Sequence, residues 1–249
     1  MSLGAPRART LGRVALRNLV HIHQTAELAE RVLLPGDPGR ALRLAQALLE
    51  QPRMLNHNRG LWGYTGTARD GAALSIQSTG MGGPSAAVVA SELIELGARL
   101  LVRVGTCGAL QDGLQPGGLV VVSEAIADDG TSVALGAGRP LCRVTAPGGL
   151  RDQLVRAGAA RGAAALAVVS SDLFYDVDAE RVARWRAAGA VAVEMETAAL
   201  FALAARRGVQ AASALLCSNV VGEERYLAPE ALHAGEIALG ELALAALAP

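Results

Sequence analysis

The chain has 249 residues, 51% of them apolar, enough for one large domain or two small ones that bury about three quarters of the unfolded surface. Its 23 basic residues are all Arg and balance 23 acidic ones; a neutral chain without a basic tract is poorly suited to non-specific nucleic-acid binding, which needs many phosphate contacts. The absence of Lys excludes Schiff-base chemistry and a P-loop lysine, so a bound anion must be held by Arg or by backbone N–H groups.

Cys107, Cys142 and Cys217 are odd in number and far apart, which argues against a disulfide framework and for a reducing compartment, with the cytoplasm as the expectation. No apolar run reaches the roughly 18 residues of a spanning helix, so no membrane partner is expected. Residues 1–20 carry four Arg and no acid and read as a disordered tail. A transit peptide is the alternative. Residues 21–249 read as a single domain.

Arg31–Leu34 is expected as a strand running into Pro35-Gly-Asp-Pro-Gly-Arg40, followed by a helix over 41–49. Leu74–Ser78 is a second strand, leading through Thr79-Gly-Met-Gly-Gly-Pro84 into a helix from Ser85 that stops at a left-handed Gly97. Leu100–Val104 is a buried strand entering a Gly105-Thr-Cys-Gly108 loop. Further strands are predicted near 118–126, 165–170, 190–193 and 211–217, and helices near 151–161, 179–188, 195–207 and 229–247. This alternation predicts an α/β fold with a parallel or mixed sheet, whose ligands sit at the carboxyl ends of the strands.

The Gly36–Arg40 loop sets backbone N–H groups ahead of a helix N-terminus, a natural phosphate seat, although a tight turn with a surface Arg has the same pattern. The Gly80–Ser85 loop resembles a dinucleotide fingerprint only superficially, because the next strand carries Arg103 where a ribose-binding acid would be needed. Arg103 lies in the apolar strand Leu101-Val-Arg-Val-Gly105, where an unpaired guanidinium would be costly. An anion must face it, either an internal carboxylate or, with Thr106 three residues on, a phosphate. Glu194 and Glu196 in Val193-Glu-Met-Glu-Thr197 fit a helix first turn, yet their apolar flanks leave them in need of donors such as ribose hydroxyls. Phe174 is core or a stacking surface for a base.

Leu34-Pro-Gly-Asp-Pro-Gly-Arg40, Asn58-Arg-Gly60, Ser78-Thr-Gly-Met-Gly-Gly-Pro-Ser85, Arg103-Val-Gly-Thr-Cys-Gly-Ala109, Ser171-Asp-Leu-Phe-Tyr175 and Val193-Glu-Met-Glu196 together resemble the bacterial hexameric nucleoside phosphorylases. The resemblance runs from about residue 20 onward, and six motifs in order are far more specific than any one. It implies a three-layer α/β/α sandwich with a mixed central sheet. It also implies a homohexamer, a trimer of dimers with shared active sites, that acts in nucleoside catabolism with phosphate as co-substrate and no cofactor. By the same resemblance Gly36, Arg40, Arg103 and Thr106 hold phosphate, with Arg59 reaching in from a neighbouring subunit. Met81, Glu194, Met195 and Glu196 hold the ribose, and His21, or less well His23, comes from the neighbour to its 5′ end. Phe174, Val193, Ser218 and Asn219 face the base. Arg103 and Asn219 are the catalytic candidates.

Purine members of the family commonly place an Asp acid where this chain has Asn219, after Cys217 and Ser218. An amide can hydrogen-bond a base but cannot transfer a proton to it. Arg225 is too close to Asn219 to match the helper Arg of those enzymes, so inosine and guanosine are expected over adenosine. Uridine phosphorylases also resemble this chain at Asn219, at Gly82–Ser85 and at Asp129-Gly-Thr-Ser132. However, only residues 176–193 separate the Phe-Tyr and Glu-Met-Glu motifs, the short purine form, with no Gln among them to read uracil and Arg181 as the one stand-in for its Arg. Purine is therefore favoured, with uridine phosphorylase as the alternative. A water-using nucleosidase has no use for Arg40, Arg59 and Arg103, and a non-catalytic nucleoside binder is supported only by the missing acid. No metal site is expected, since nothing at ligand spacing accompanies His21 and His23. Cys107 and Cys217 read as small apolar residues rather than nucleophiles.

Overall fold

The computed structural model describes residues 19–175 and 178–248. In chain order the strands are β1 (Arg31–Leu34), β2 (Leu49–Asn56), β3 (Gly63–Ala68), β4 (Ala73–Gln77), β5 (Leu100–Ala109), β6 (Leu119–Asp128), β7 (Cys142–Val144), β8 (Ala164–Ser171), β9 (Ala192–Glu194) and β10 (Gln210–Val220). The helices are α1 (Pro38–Leu48), α2 (Gly83–Leu96), the single turn α3 (Gly130–Ser132), α4 (Leu150–Ala159), α5 (Ala179–Ala187), α6 (Thr197–Arg207) and α7 (Pro229–Ala246). The expected tail, residues 1–20, lies outside the described residues except for its last two.

All ten strands join one mixed sheet in the order β10-β6-β8-β9-β5-β1-β4-β3-β2, with β7 on β6. Because β10 also pairs in parallel with β5, the strands β10, β6, β8, β9 and β5 close into a ring, and the remaining strands extend from β5 as an open wing. Alternation along the strands separates two cores. Val32, Leu34 and Leu101 pack with Val89 and Leu93 of α2 and with Leu200 and Phe201 of α6. Leu33, Val102 and Val104 pack with Leu44 and Leu48 of α1 and with Leu239 and Leu242 of α7. Helices on both faces of a mixed sheet give the three-layer sandwich. Arg103 falls in the alternation with Leu101, on the α2 and α6 side.

The expected elements form, with two corrections. Gly105-Thr-Cys-Gly108 is not a loop but the second half of β5, held by β10 over the register Gly105↔Leu215 to Ala109↔Val220. Strands β2, β3 and the short β7 were not predicted. β2 is an edge strand with Pro52 and a largely exposed polar middle, so neither an apolar run nor a clean alternation announces it. Helix α2 does end where expected, with Gly97 left-handed at φ 118°.

Candidate active site

Two loops are tied together at the carboxyl ends of β1 and β4. Thr79 N donates to Pro35 O at 2.9 Å, and Gly80 N to Gly36 O at 3.1 Å. Asp37 caps α1, accepting from Arg40 N at 2.6 Å and Gly39 N at 3.2 Å. The cap fixes the first turn of α1, so Arg40 projects from a rigid element.

Arg103 is the centre of the site. Its Nε donates to Glu194 Oε2 at 2.9 Å, and its Nη2 lies 2.6 Å from Glu196 Oε2. All three side chains are buried. Glu194 is the last residue of β9 and Glu196 the N-cap of α6, so the strand-to-helix turn presents both carboxylates to one guanidinium. Glu194 also accepts from the backbone N of Glu196 and Thr197 and from the Ser170 hydroxyl. Glu196 Oε1 accepts from Gly82 N at 2.5 Å. Burial works to lower the Arg103 pKa, but Glu196 and Glu194 outweigh it and hold the guanidinium charged. The Glu196 carboxyl is pushed up by burial, drawn down by Arg103 and pushed up again by Glu194, with a net rise. A small cavity beside Arg103 and Glu196 is lined by Leu34, Thr79, Ala86 and Leu200.

Arg40 is buried as well, its Nε donating to Glu236 Oε1 at 2.7 Å and its Nη1 to Val104 O at 3.3 Å. Val104 O belongs to the residue after Arg103, which brings both guanidinium-bearing residues to one stretch of β5. Thr106 follows on that strand, half-buried, and Met195 is half-buried between the two acids.

At the end of β10 a bulge at Ser218 places Asn219 opposite Gly108. Asn219 Oδ1 accepts from the Ser218 hydroxyl at 3.0 Å, while its Nδ2 has no hydrogen bond among the described residues. Val193 pairs with Gly108 from the other side, so Val193, Gly108 and Asn219 are neighbours across three strands. Phe174 is 68% exposed and packs edge-on against Tyr175, with centroids 5.0 Å apart; Met81 is 83% exposed.

The His21 segment is tied to the residue before Arg59, and neither His21 nor Arg59 is hydrogen-bonded to Arg103, Glu194 or Glu196 among the described residues. Asn58, next to Arg59, donates to His21 O at 3.1 Å, and His21 Nδ1 sits 2.8 Å from Glu92 Oε1. Glu92 also accepts from the backbone N of Val20, His21 and Ile22. Arg59 is exposed with a positive φ of 58° and makes no ion pair among the described residues. His23 is exposed, and among the described residues it is anchored through its backbone N alone, to Asn56 Oδ1. Cys107 and Cys217 are buried partners in the β5–β10 register; contact with Cys217 and burial push the Cys107 thiol well up, which keeps it protonated. Among the described residues no group of three His, Cys, Asp or Glu could hold a metal ion.

Three acids that hold this arrangement escape motif reading: Glu92, Glu236 and, in its role as a brace, Glu194. Each is a carboxylate in an apolar stretch, and that conflict is the only signal the sequence offers for the first two.

Residues 30–246 match the Phosphorylase superfamily. The chain belongs to that superfamily. The match covers the loops, β5 and the Glu-Met-Glu turn described above. This phosphorylase is 40% identical over 211 residues to a "Purine nucleoside phosphorylase DeoD-type" of Geobacillus kaustophilus, covering 82% of this chain and 88% of that one. It is 37% identical over 220 residues to the protein of the same name from Bacillus cereus, covering 82% and 89%. A crystal structure of uridine phosphorylase from Vibrio fischeri, complexed with 6-hydroxy-1-naphthoic acid, superposes with a TM-score of 0.77 at 30% identity, over 89% of this chain and 92% of that one. The fold and the family implied by the six motifs are thereby borne out: this is an enzyme of the nucleoside phosphorylase family, a pentosyltransferase.

Proposed function

We propose that this phosphorylase cleaves purine nucleosides with inorganic phosphate, releasing free base and (deoxy)ribose 1-phosphate, and that it prefers the 6-oxopurines inosine and guanosine. The observation that carries the reading of the site is Arg103 between Glu194 and Glu196, a buried cation flanked by two carboxylates at the mouth of two glycine loops. Phosphorolysis needs this combination. Arg103, Arg40, Thr106 and the Gly36 backbone hold a phosphate in line with C1′, and a guanidinium that cannot lose its proton keeps that anion bound. Glu196, braced by Glu194, accepts hydrogen bonds from the ribose hydroxyls. As the glycosidic bond breaks, the sugar becomes cationic and oxocarbenium-like, and both phosphate and carboxylates stabilise it. The departing base gains negative charge, and Asn219 Nδ2 donates a hydrogen bond to it rather than a proton.

Arg59 and His21 serve the site of a neighbouring subunit. Asn58, the residue before Arg59, binds the His21 carbonyl, and Glu92 binds the His21 ring; a surface shared in this way suits a hexamer built as a trimer of dimers. Phe174 and Val193 line the base side and Met81 the sugar. The relatives named purine nucleoside phosphorylase support the purine reading, as does the short connection between the Phe174 and Glu194 motifs. Asn219 and the superposition on a uridine phosphorylase favour the pyrimidine alternative. No helix among the described residues is long and apolar enough to cross a membrane, in keeping with a cytoplasmic enzyme. Replacing Arg103 by Ala should cost about 3 kcal/mol of transition-state stabilisation. A variant that kept wild-type phosphate saturation would overturn the site.

A further inference from the structure

Glu236 lies on α7, far along the chain from every motif, yet it is almost completely buried at 1% exposure. Its two oxygens are divided between two guanidinia. Oε1 accepts from Arg40 Nε at 2.7 Å, and Oε2 accepts from Arg43 Nε at 3.0 Å and Nη2 at 2.7 Å. The helix can carry a carboxylate this deep because glycines let it lie close to its neighbours. A Cβ on Gly235 would come within 2.7 Å of Leu216 Cδ2, and one on Gly240 within 2.4 Å of Leu44 Cδ2. Leu216 is on β10 and Leu44 on α1, so α7 is pressed against the helix that carries Arg40 and against the parallel neighbour of β5, whose Val104 O accepts from Arg40.

The bond to Nε leaves the outer edge of the Arg40 fork available. Nη1 touches Val104 O at 3.3 Å, and Nη2 has no partner among the described residues. A guanidinium held at Nε and Nη1 is restricted in orientation before an anion arrives, whereas a free Arg side chain would lose its rotamer freedom on binding. Arg43 anchors the other carboxylate oxygen. Asp37 Oδ2 also lies 3.4 Å from Arg43 Nη2, so Asp37 and Glu236 together balance Arg40 and Arg43, and an incoming anion meets the unpartnered Nη2 of a fixed Arg40 rather than a net charge.

We propose that Glu236 is a positioning residue for phosphate: it acts through Arg40 by fixing the guanidinium in its anion-binding orientation, with Arg43 as its anchor. The proposal rests on the reading of Arg40 as a phosphate ligand, and it makes a prediction opposite to that of simple charge compensation. A carboxylate that merely neutralised Arg40 would weaken phosphate binding, so its loss would lower the phosphate KM. A positioning carboxylate raises the phosphate KM when lost.

The test is steady-state kinetics of the full-length enzyme with inosine, varying inorganic phosphate and nucleoside separately, for Glu236→Ala, Glu236→Gln and Arg40→Ala, with melting temperatures alongside. Glu236→Ala should raise the phosphate KM roughly tenfold to a hundredfold and leave the inosine KM within about twofold. Glu236→Gln keeps an acceptor for Arg40 Nε and should recover most of that loss, which also keeps the test open should the Ala variant fail to fold. An unchanged or lowered phosphate KM in Glu236→Ala, or a lowered one in Glu236→Gln, together with a raised one in Arg40→Ala, would overturn the role of Glu236. An unchanged phosphate KM in Arg40→Ala would overturn the reading of Arg40 itself.

Discussion

Gly105 has no side chain where the guanidinium of Arg103 needs the room: an ideal Cβ on Gly105 would stand 2.5 Å from Arg103 Cζ and 2.6 Å from Nη2. The two residues share one face of β5, and Arg103 folds back along the strand to meet Glu194 and Glu196. Gly105→Ala should displace the guanidinium and lower kcat/KM by roughly a hundredfold. Overpacking should cost about 1–3 kcal/mol of stability. Kinetics with wild-type saturation by phosphate would show that Arg103 does not have to occupy this position.

Glu196 accepts hydroxyl hydrogen bonds at both oxygens only as a carboxylate, since protonation turns one oxygen into a donor and weakens its hold on Arg103. Burial raises its pKa, Arg103 lowers it and Glu194 raises it again, for a net rise. The acid limb of kcat/KM for nucleoside at saturating phosphate should therefore lie above the ordinary Glu value of about 4.3. Glu194→Gln removes the repelling charge and should move that limb to lower pH, whereas titration of phosphate itself is common to both proteins. A limb that stayed in place would contradict the coupling. For folding the sign is reversed. Between the ordinary and the raised value the folded chain binds more protons than the unfolded one, so the contribution of this group to stability falls as pH rises through that window.

Asn58, which precedes Arg59, donates to His21 O, and His21 Nδ1 meets Glu92, with neither Arg59 nor His21 hydrogen-bonded to Arg103, Glu194 or Glu196 among the described residues. If they complete a neighbour's site, Arg59→Ala and Arg103→Ala should each be nearly inactive, and mixed oligomers of the two should regain activity from sites that combine both intact residues. Absence of recovery after demonstrated subunit exchange would place all phosphate ligands in one chain.

Asn219 offers an amide where a proton donor would aid release of adenine. Asn219→Asp should raise adenosine turnover relative to inosine by roughly tenfold or more, within the usual range for a general acid. An unchanged ratio, measured by base release at equal phosphate, would remove residue 219 from base selection.

The glycine loops, Arg103 and the acid pair were legible because each breaks a local pattern: glycines at strand ends, Arg103 in an apolar strand, two Glu in an apolar turn. The sequence could not say which anion Arg103 faces. Internal carboxylates and phosphate satisfy the same desolvation argument, and in the structure the carboxylates hold it. Gly105-Thr-Cys-Gly108 reads as a loop by composition, and pairing with β10, more than a hundred residues away, and with β9 at Gly108 keeps it extended. β2 escaped notice because edge strands tolerate Pro and polar residues. Glu236 was invisible for a related reason, since its partners Arg40 and Arg43 lie almost two hundred residues earlier in the chain.

The most direct test is release of hypoxanthine, adenine and uracil from their ribosides by the purified enzyme, side by side, with and without inorganic phosphate. Release should require phosphate and be fastest for hypoxanthine. Base release undiminished without phosphate, or uracil released fastest, would contradict a phosphorylase specific for 6-oxopurine nucleosides.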